Sequence, residues 1–277
     1  MLKTRVITAV VLLAVLLPVT LFAPLAAFGA LIALVLVFAA WEWARLLKLG
    51  ATGSVLYAIV AALALGASMW LGVGPDAGFG PSRPLVEAAA VFWLLAGPFA
   101  LWRKPALAER AWKLFLLAAG LVVFAACWHA VVAARAAGIA FVLSMLLVVW
   151  LADIGAYFAG KAFGRHKLAP SISPGKTWEG ALGGWLAVMI VAGLAIGLGA
   201  FGPTLYSALA QRFGAAGALV ALTLLVAYSV VGDLFESLLK RQAGVKDSSG
   251  LLPGHGGVLD RVDALLPVLP LAVLLLG

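Results

Sequence analysis

The sequence predicts an all-α, polytopic integral membrane protein with about nine transmembrane helices and a cytoplasmic N-terminus. Two features of the composition predict this fold class: 65% of the 277 residues are hydrophobic, and only 11% are charged. Soluble domains carry about 25% charged residues and about 45–50% apolar ones. The third observation is the order of the residues, because apolar ones form long runs and charged ones gather between them. We therefore expect most of the chain to lie in a bilayer.

Nine apolar runs approach the length that a membrane crossing requires, which is about 20 residues in a helix. They cover Val6–Phe22, Leu25–Trp41, Val55–Val73, Leu85–Leu101, Leu114–Ala130, Ile139–Phe158, Ala181–Leu198, Ala215–Leu234 and Leu265–Leu276. The last run is short and contains two prolines, Pro267 and Pro270. We expect the first run to be a retained helix, because its apolar stretch exceeds the roughly 7–15 residues of a cleaved signal peptide.

The distribution of basic residues predicts the orientation. If the N-terminus is cytoplasmic and nine helices alternate, 16 of the 19 lysines and arginines fall in cytoplasmic segments. The outer segments keep Arg83, Arg135 and Arg212. Such a bias follows the positive-inside rule. The same alternation places the polar segments 159–180 and 236–262 together on the cytoplasmic side.

We divide the chain into about five N-terminal helices, residues 1–137, and a C-terminal catalytic region, residues 138–277, which holds both polar loops. The net charge is +8, and its clusters lie between apolar runs. Membrane lipids and anionic substrates are therefore the expected partners, rather than nucleic acid. The single cysteine, Cys127, lies in an apolar run and is expected to be a packing residue.

The 11 acidic residues divide into two groups. Four precede residue 110, and for these we expect solvated positions at helix ends or in loops: Glu42, Asp76, Glu87 and Glu109. Several of the other seven lie in or beside apolar runs: Asp153, Glu179, Asp233, Glu236, Asp247, Asp260 and Asp263. An ionised carboxylate in a membrane costs a few kcal/mol unless it is paired or binds a cation. The second group therefore contains the functional candidates.

The spacing of polar residues near the C-terminus brings several of them onto common helix faces. One face carries residues at i, i+3, i+4, i+7 and i+8, namely Asp233, Glu236, Ser237, Lys240 and Arg241. Asp260 and Asp263, three residues apart, also point the same way. Carboxylates at two helix ends can bind Mg²⁺ through oxygen and leave positions open for phosphates. The alternative is a set of salt bridges between these aspartates and the neighbouring lysines and arginines.

A glycine-rich loop joins these two helix ends. It contains Lys246-Asp247-Ser248-Ser249-Gly250 and then Pro253-Gly254-His255-Gly256-Gly257. Glycines let a backbone approach a ligand closely and present its N–H groups. His255 can donate to a phosphate oxygen or take part in proton transfer. No role is assigned to His129 or His166.

The other polar segment includes Ser173-Pro174-Gly175-Lys176-Thr177-Trp178-Glu179-Gly180. It is not a Walker A loop, because Pro170 stands where that motif needs glycine and no strand is predicted before it. Lys176, the Ser173 and Thr177 hydroxyls, and backbone N–H groups at a helix start can still bind an anion. Glu179 lies at the membrane edge, where a pair with Lys176 is the alternative to substrate binding.

Upstream of this segment, Asp153 and Tyr157 lie on one helix face inside an apolar run, so we expect Asp153 to face a polar cavity. The small residues around them, among them Gly155 and Gly160, favour tight helix packing.

The stretch from Ser237 to Asp263 resembles the signature of phosphatidate cytidylyltransferases. Each element of that pattern is present at the family spacing: Ser237, Lys240-Arg241, Lys246-Asp247, His255-Gly256-Gly257 and Asp260-Arg261-Val262-Asp263. The upstream segments Ser173–Gly180 and Gly232-Asp233 also resemble the family. The resemblance covers roughly residues 150–263, whereas the first half matches only as a row of apolar helices.

The resemblance implies a nucleotidyltransferase that makes CDP-diacylglycerol and pyrophosphate from CTP and phosphatidic acid. It also implies a homodimer in a bacterial-type inner membrane, with the active site on the cytoplasmic side. The acids that match Asp233, Asp260 and Asp263 are associated in the family with a divalent ion, here expected to be Mg²⁺, and a potassium ion nearby.

The site expected from the motifs has two parts. Catalytic positions are Asp233, Lys240, Arg241, Asp260, Arg261 and Asp263. Substrate-binding positions are Ser173, Lys176, Thr177, Glu179, Ser237, Lys246, Asp247, His255, Gly256 and Gly257. Two alternatives remain at this point: a CTP-dependent lipid kinase of the polyprenol type, and an anion transporter that uses the same charges as a pathway.

Overall fold

The computed structural model describes residues 2–69, 82–198 and 202–277, which are mostly helical. The helices are α1 (Leu2–Phe22), α2 (Leu25–Leu46), α3 (Gly50–Met69), α4 (Arg83–Val91), α5 (Gly97–Arg103), α6 (Arg110–Ala137), α7 (Ile139–Phe163), α8 (Trp178–Leu198), α9 (Leu205–Ala243), α10 (Leu259–Val262) and α11 (Leu265–Leu276). A π-helical turn, Phe92–Ala96, joins α4 to α5. Two short antiparallel strands, β1 (Lys167–Ala169) and β2 (Ser173–Thr177), lie between α7 and α8.

Seven helices within the described residues are long and apolar enough to cross a membrane, which confirms seven of the predicted runs. They are Leu25–Leu46, Gly50–Met69, Arg83–Arg103, Arg110–Ala137, Ile139–Phe163, Trp178–Leu198 and Leu205–Ala243. The apolar part of α1, Val6–Phe22, is shorter. The 12 residues of α11 rise only about 18 Å, against a hydrocarbon core of about 30 Å. Nine crossings and their direction therefore stay predictions. The expected end of the third run at Val73, and Asp76, lie outside the described residues.

The two polar loops differ from the prediction in their bounds. Helix α7 continues to Phe163, so the first loop begins later than predicted. Helix α9 continues to Ala243, so Lys240 and Arg241 are helical. Polar side chains mark where an apolar run ends, but lysine, arginine and glutamate are good helix formers, so the helix itself continues. The second difference is the hairpin, in which Lys167 pairs with Thr177. The segment predicted as a loop before a helix is therefore a strand followed directly by α8.

Helices α7 and α8 pack closely along a line of glycines. A Cβ atom on Gly155 would lie 2.8 Å from the carbonyl oxygen of Gly183, and one on Gly184 would overlap the carbonyl oxygen of Ala152. Side chains larger than hydrogen would therefore separate the two helices. This contact confirms the tight packing expected of the small residues, and it holds β2, which precedes α8, beside the end of α7.

Trp43 joins the N-terminal and C-terminal halves of the chain. It is buried in α2, where its Nε1 donates to the carbonyl oxygen of Leu116 in α6 at 3.1 Å. Its ring stacks on Phe235 of α9, with centroids 5.8 Å apart and planes at 15°. Phe124 of α6 packs edge-on against the same indole at 5.9 Å. Helices α2, α6 and α9 therefore meet at one aromatic centre, close to the acidic residues of α9.

Two glycines shape α9. Gly214, with φ +70° and ψ 175°, interrupts the helical backbone and divides α9 into a short and a long segment. At Gly232 a Cβ atom would lie 2.5 Å from the carbonyl oxygen of Asp263 and 2.8 Å from Pro267. The absence of a side chain there lets α9 approach the corner between α10 and α11. This approach brings Asp233, the next residue, near Asp263.

The glycine line between α7 and α8 predicts the effect of one added methyl group. Gly184→Ala should destabilise the protein by about 1–3 kcal/mol, because the new Cβ overlaps the Ala152 carbonyl in a packed contact. The measurement is the apparent melting temperature of the purified protein in detergent. Gly193→Ala, in the same helix with nothing within 4 Å of the new Cβ, is the matched control and should not lower it. Equal melting temperatures for the two variants would contradict the packing role of Gly184.

Candidate active site

Polar segments that are distant in sequence meet at one end of the helices. The hairpin turn contacts both the α5–α6 loop and the end of α9, and the α2–α3 turn contacts the start of α6. The bonds run from Lys104 Nζ to Ser171 Oγ (2.7 Å), from Arg241 Nε to the Ile172 carbonyl (3.1 Å), from Gln242 Nε2 to the Pro105 carbonyl (2.9 Å), and from Lys113 Nζ to the Lys48 carbonyl (3.0 Å). These are the segments that the distribution of basic residues assigned to one side of a membrane.

Asp260, the first acid of α10, lies at the centre of this end. Its Oδ1 pairs with Lys240 Nζ at 2.6 Å. Its Oδ2 accepts from the backbone N–H groups of Ser248 (2.9 Å) and Gly257 (2.7 Å), and from Ser248 Oγ (2.9 Å). Although burial opposes ionisation, these partners hold the pKa of Asp260 below its ordinary value. Asp260 therefore joins the glycine-rich loop to α9.

Lys240 bridges two carboxylates. Besides Asp260 it pairs with Glu236, one turn earlier on α9. The side chain of Lys240 is 13% exposed, and that of Glu236 is 2% exposed. The salt-bridge alternative from the sequence thus holds for Asp260 and Lys240. In this arrangement Lys240 stabilises buried acids and does not point freely toward a substrate.

Asp233 has a different environment from Asp260. Its Oδ2 pairs with Lys176 from β2, and its Oδ1 accepts from Ser237 Oγ at 3.4 Å. The Lys176 and Asp233 side chains are 26% and 31% exposed, respectively. This pair is therefore accessible to a ligand, unlike the Lys240 network.

The Lys176–Asp233 pair lines a cavity of about 450 Å³ between α7, α8 and α9. Asp153, Lys161 and Ser229 add polar groups to the wall, and Ala156, Val226 and Val230 are among its apolar residues. The expectation that Asp153 faces a polar cavity is confirmed. Because the cavity lies among apolar helices yet has charged walls, it is suited to a ligand with a charged head and an apolar body.

Asp263 follows α10, and the negative charge of Asp233 acts on it. Its Oδ1 accepts from the backbone N–H of Ala264 at 2.8 Å. Burial, and then the negative charge of Asp233, raise the pKa of the Asp263 carboxyl to about 8. A divalent cation bound between the two carboxylates would remove this repulsion, and carboxylate oxygens are ligands that Mg²⁺ accepts.

The donor set fits a cation at Asp233 and Asp263 better than at all three predicted aspartates. Both oxygens of Asp260 already accept from Lys240 and the loop, so Asp260 would have to exchange partners to bind a metal. Within residues 2–69, 82–198 and 202–277, no group of three or more His, Cys, Asp or Glu side chains is arranged to hold a metal ion.

The glycines of the His-Gly-Gly sequence allow the loop to close around carboxylates. Gly256 has φ +84°, and a Cβ atom there would lie 2.7 Å from Asp260 Oδ2. A Cβ atom on Gly257 would overlap Ser248 Oγ and lie 2.5 Å from Glu42 Oε1. These positions were expected to bind substrate. In this structure their lack of a side chain accommodates two acids of the protein itself.

His255 and Arg261 contact each other through the backbone. The His255 carbonyl oxygen accepts from Arg261 Nε at 3.1 Å and also from Nη2. His255 Nδ1 is buried and has no hydrogen-bond partner among the described residues. Arg261 therefore supports the loop and is not paired with an aspartate, contrary to the salt-bridge alternative for this residue.

Glu42 corrects the sequence prediction of a solvated acid. It is 0% exposed, and its carboxylate accepts hydrogen bonds from four donors of the glycine-rich loop and the start of α10. They are Ser248 Oγ (3.1 Å), Ser249 Oγ, Val258 N (3.0 Å) and Leu259 N (2.5 Å). The sequence prediction assumed that the end of α2 lies in water, whereas the glycine-rich loop covers that end. The missed signal was an acid between two tryptophans, Trp41 and Trp43.

The other early acids described behave as expected. Glu87 is exposed and pairs with Arg83 at 2.8 Å, and Glu109 accepts from the backbone N–H of Ala106 at an exposed position.

The remaining predicted residues lie at the hairpin or on the loop surface. Thr177 is buried, and its Oγ1 accepts from Gly180 N at 3.1 Å, so it caps the start of α8. Glu179 accepts from the backbone N–H groups of Arg165 and His166 and pairs with His166 Nδ1 at 2.5 Å. The alternative pair of Glu179 with Lys176 is wrong, because Lys176 pairs with Asp233. Ser173 is part of β2, and Lys246 and Asp247 are exposed on the loop.

Comparison with known proteins gives consistent matches. The model of the cytidylyltransferase family matches residues 3–277. Phosphatidate cytidylyltransferase of Pseudomonas aeruginosa is 41% identical over 279 residues, which cover 100% of this chain and 97% of that protein. The protein of the same name from Haemophilus influenzae is 35% identical over 293 residues, covering 98% and 96%. That of Brucella suis is 48% identical over 128 residues, covering 46% and 43%.

The ion pairs of Lys240 with two buried carboxylates predict that removing this lysine strongly destabilises the protein. Lys240→Met should destabilise the protein by about 3–5 kcal/mol, because Glu236 and Asp260 would remain buried without their partner. The apparent melting temperature in detergent measures this. Lys167→Met, at an exposed position of β1, is the control and should leave the value unchanged. A Lys240→Met protein as stable as the parent would exclude the bridging role.

Proposed function

This chain belongs to the cytidylyltransferase family, and we propose from that premise that it is a phosphatidate cytidylyltransferase. It transfers CMP from CTP to phosphatidic acid and releases CDP-diacylglycerol and pyrophosphate. The observation that carries the proposal is the full-length similarity to two enzymes of that name. The signature residues support it, because Ser237 contacts Asp233 and Lys240 contacts Asp260 at the same end of the helices.

The proposed location is the inner membrane of a bacterium, with the site and the N-terminus on the cytoplasmic side. Several apolar helices and bacterial relatives support a membrane protein. The meeting of the basic segments at one end supports the direction, because such segments remain in the cytoplasm and attract anionic lipids. Homodimerisation is proposed from the family resemblance alone.

The reaction joins two anions, so it depends on positive charge. A phosphate oxygen of the lipid attacks the α-phosphorus of CTP, and the bond from that phosphorus to the α–β bridging oxygen breaks, so that this oxygen leaves as a terminal oxygen of pyrophosphate. The attacking oxygen is already ionised, so no general base is required. Lys176, partly exposed beside Asp233, is placed to neutralise a phosphate. Lys246, Arg241 and Arg261 are exposed and would bind the remaining phosphates.

Asp233 and Asp263 would hold Mg²⁺, which when bound supplies Lewis-acid charge neutralisation at the transferred phosphoryl group. A potassium ion nearby stays part of the proposal. The chain itself holds these two acids close, through the approach of α9 at Gly232, and it leaves Asp263 only partly exposed.

The cavity between α7, α8 and α9 is the proposed place of the phosphatidic acid head group. It extends from the Lys176–Asp233 pair into the apolar helices. Exposed apolar side chains, among them Ile154, Phe158 and Leu182, cover the outer faces of α7 and α8. The acyl chains would therefore stay in the bilayer while the phosphate reaches the polar end.

Labelled CTP tests the proposed reaction against its alternatives. Purified protein with CTP, phosphatidic acid and Mg²⁺ should place the cytidine label in the lipid and release one pyrophosphate for each CDP-diacylglycerol. A lipid kinase would instead transfer the γ-phosphate and release CDP. Uptake of substrate into vesicles without turnover would indicate a transporter. Either outcome would overturn the proposal.

Asp263→Asn should reduce turnover at least about 100-fold, because the variant loses the charge that would hold the cation next to Asp233. Pyrophosphate release in the presence of both substrates and Mg²⁺ measures the effect. Glu87→Gln removes an exposed acid on α4 and is the control. Turnover near the parent value in a folded Asp263→Asn protein would remove Asp263 from the site.

Two lysines at the same end should differ in effect. Lys176→Ala should lower kcat/KM at least about 100-fold, because Lys176 faces the cavity beside Asp233. Lys104→Ala should lower it less than about tenfold, because it loses one exposed hydrogen bond to Ser171 and lipid attraction of about 1 kcal/mol. Steady-state kinetics with both substrates varied distinguish them. Similar losses for both variants would contradict the assigned position of the phosphate.

A further inference from the structure

The buried carboxylate of Glu42 has no role in the reaction as described so far. It belongs to α2, in the half of the chain that carries no signature residue, yet its four hydrogen-bond donors all lie in residues 248–259. We call residues 248–259 the clamp loop. Among the described side chains, no lysine or arginine lies within ion-pair distance of Glu42. The hydrogen-bond donors that contact Glu42 among the described residues therefore all come from the clamp loop.

A buried carboxylate stabilised in this way constrains the segment that supplies its donors. In this arrangement Glu42 is 0% exposed, and a movement of the clamp loop would break all four hydrogen bonds, which is costly until water replaces them. Gly257 permits the close approach, because any Cβ atom at that position would overlap Ser248 Oγ and press on Glu42 Oε1. The loop and Glu42 therefore hold each other in one arrangement.

Glu42 is itself held firmly. The next residue, Trp43, hydrogen-bonds to α6 and stacks on Phe235 of α9. Phe235 lies between Asp233 and Glu236 in sequence. Its contact with Trp43 therefore fixes α2 against the part of α9 that carries these acids. Because Glu42 is fixed relative to α9, its carboxylate can hold the clamp loop, which follows α9 in the chain, in a defined position.

Ser248 connects Glu42 to the signature acids. Its hydroxyl oxygen lies 3.1 Å from Glu42 Oε2 and 2.9 Å from Asp260 Oδ2, and its backbone N–H donates to Asp260 as well. A hydroxyl has a single proton, so it donates to one of the two carboxylates at a time. The placement of Asp260, and of the Lys240 bonded to it, therefore depends on what Glu42 accepts.

The second connection runs through the backbone. Leu259 N, the first N–H of α10, donates to Glu42 Oε2 at 2.5 Å, and Val258 N donates to Oε1 at 3.0 Å. Since α10 carries Asp260 and leads directly to Asp263, a displacement of its first residue would displace both acids.

We propose that Glu42 is a positioning residue for cytidylyl transfer, which acts through Ser248 and the start of α10 to fix Asp260 in its contacts with Lys240 and the loop, and thereby to hold Asp263 in place near Asp233. The inference rests on the proposed function. It assigns to the N-terminal half a direct part in arranging the site, in addition to spanning the membrane. Groups that orient reacting or metal-binding side chains typically contribute about 10–100-fold in activity or metal affinity.

Glu42→Gln tests the proposal with little change in shape. The variant presents an amide NH₂ group to donors that need an acceptor, so the clamp loop loses part of its attachment. Per folded molecule, kcat should fall roughly 10–100-fold, and the Mg²⁺ concentration for half-maximal activity should rise. Glu42→Asp keeps the charge on a shorter side chain and should recover part of the loss. Glu87→Gln, an exposed acid, should match the parent.

A merely structural role would give a different result. It would lower the melting temperature and the amount of folded protein, whereas kcat and the Mg²⁺ requirement of the folded fraction would stay at the parent values; that result would overturn the proposal. Ser248→Ala combined with Glu42→Gln should lose less than the product of the two single losses, because both act through one connection. Fully multiplicative losses would exclude action through Ser248.

Hydrogen exchange of the amides in residues 247–259, measured without substrate, separates this inference from the proposed function. Faster exchange there in Glu42→Gln, with α7 and α8 unchanged, is the expected result, and unchanged exchange would overturn the positioning role.

If the parent protein makes no CDP-diacylglycerol, the proposed function fails and the inference fails with it, even where exchange shows that Glu42 holds the loop. Should Glu42→Gln not fold, Glu42→Asp and Ser248→Ala undergo the same measurements, and parent values in both would overturn it.

Discussion

The cost of burying a carboxylate is the constraint on which the arrangement of this site depends. Glu42, Glu236 and Asp260 are withdrawn from water, and each ionised group there requires a cation or several N–H and O–H donors. Lys240 supplies the cation for two of them, and the glycine-rich loop supplies donors to Glu42 and Asp260. These bonds hold the loop against α2 and α9, although it contains little regular secondary structure.

Asp233 and Asp263 stand apart from this network because their charges are less completely compensated. Asp233 has an accessible lysine, and Asp263 has one backbone donor and a raised pKa. The proposed Mg²⁺ site needs such uncompensated negative charge to attract the cation, and surroundings that keep the two acids in place. The network around Asp260 provides those surroundings, since α10 carries Asp260 and ends beside Asp263.

Close backbone packing at glycines makes this geometry possible. Gly184 allows α7 and α8 to pack closely, and Gly232 allows α9 to approach the α10–α11 corner. Gly257 allows the loop to approach α2. Each contact is between segments distant in sequence. Glycine in a sequence indicates conformational freedom or close approach, but it does not name the partner. For that reason Gly256 and Gly257 were expected to bind substrate, whereas they border Asp260 and Glu42.

Hydrophobic length and motif spacing are local properties, so the membrane class, seven of the long apolar helices, the family, and the polar segments 159–180 and 236–262 could be predicted without the fold. Three features could be learned only from the fold: which acids are paired, that β2 carries Lys176, and that Glu42 contacts the glycine-rich loop. They could not be predicted, because the partners of a buried charge come from other helices. Glu42 and Leu259 are far apart in the chain, and only the packing of α2 against α10 brings their atoms within 2.5 Å.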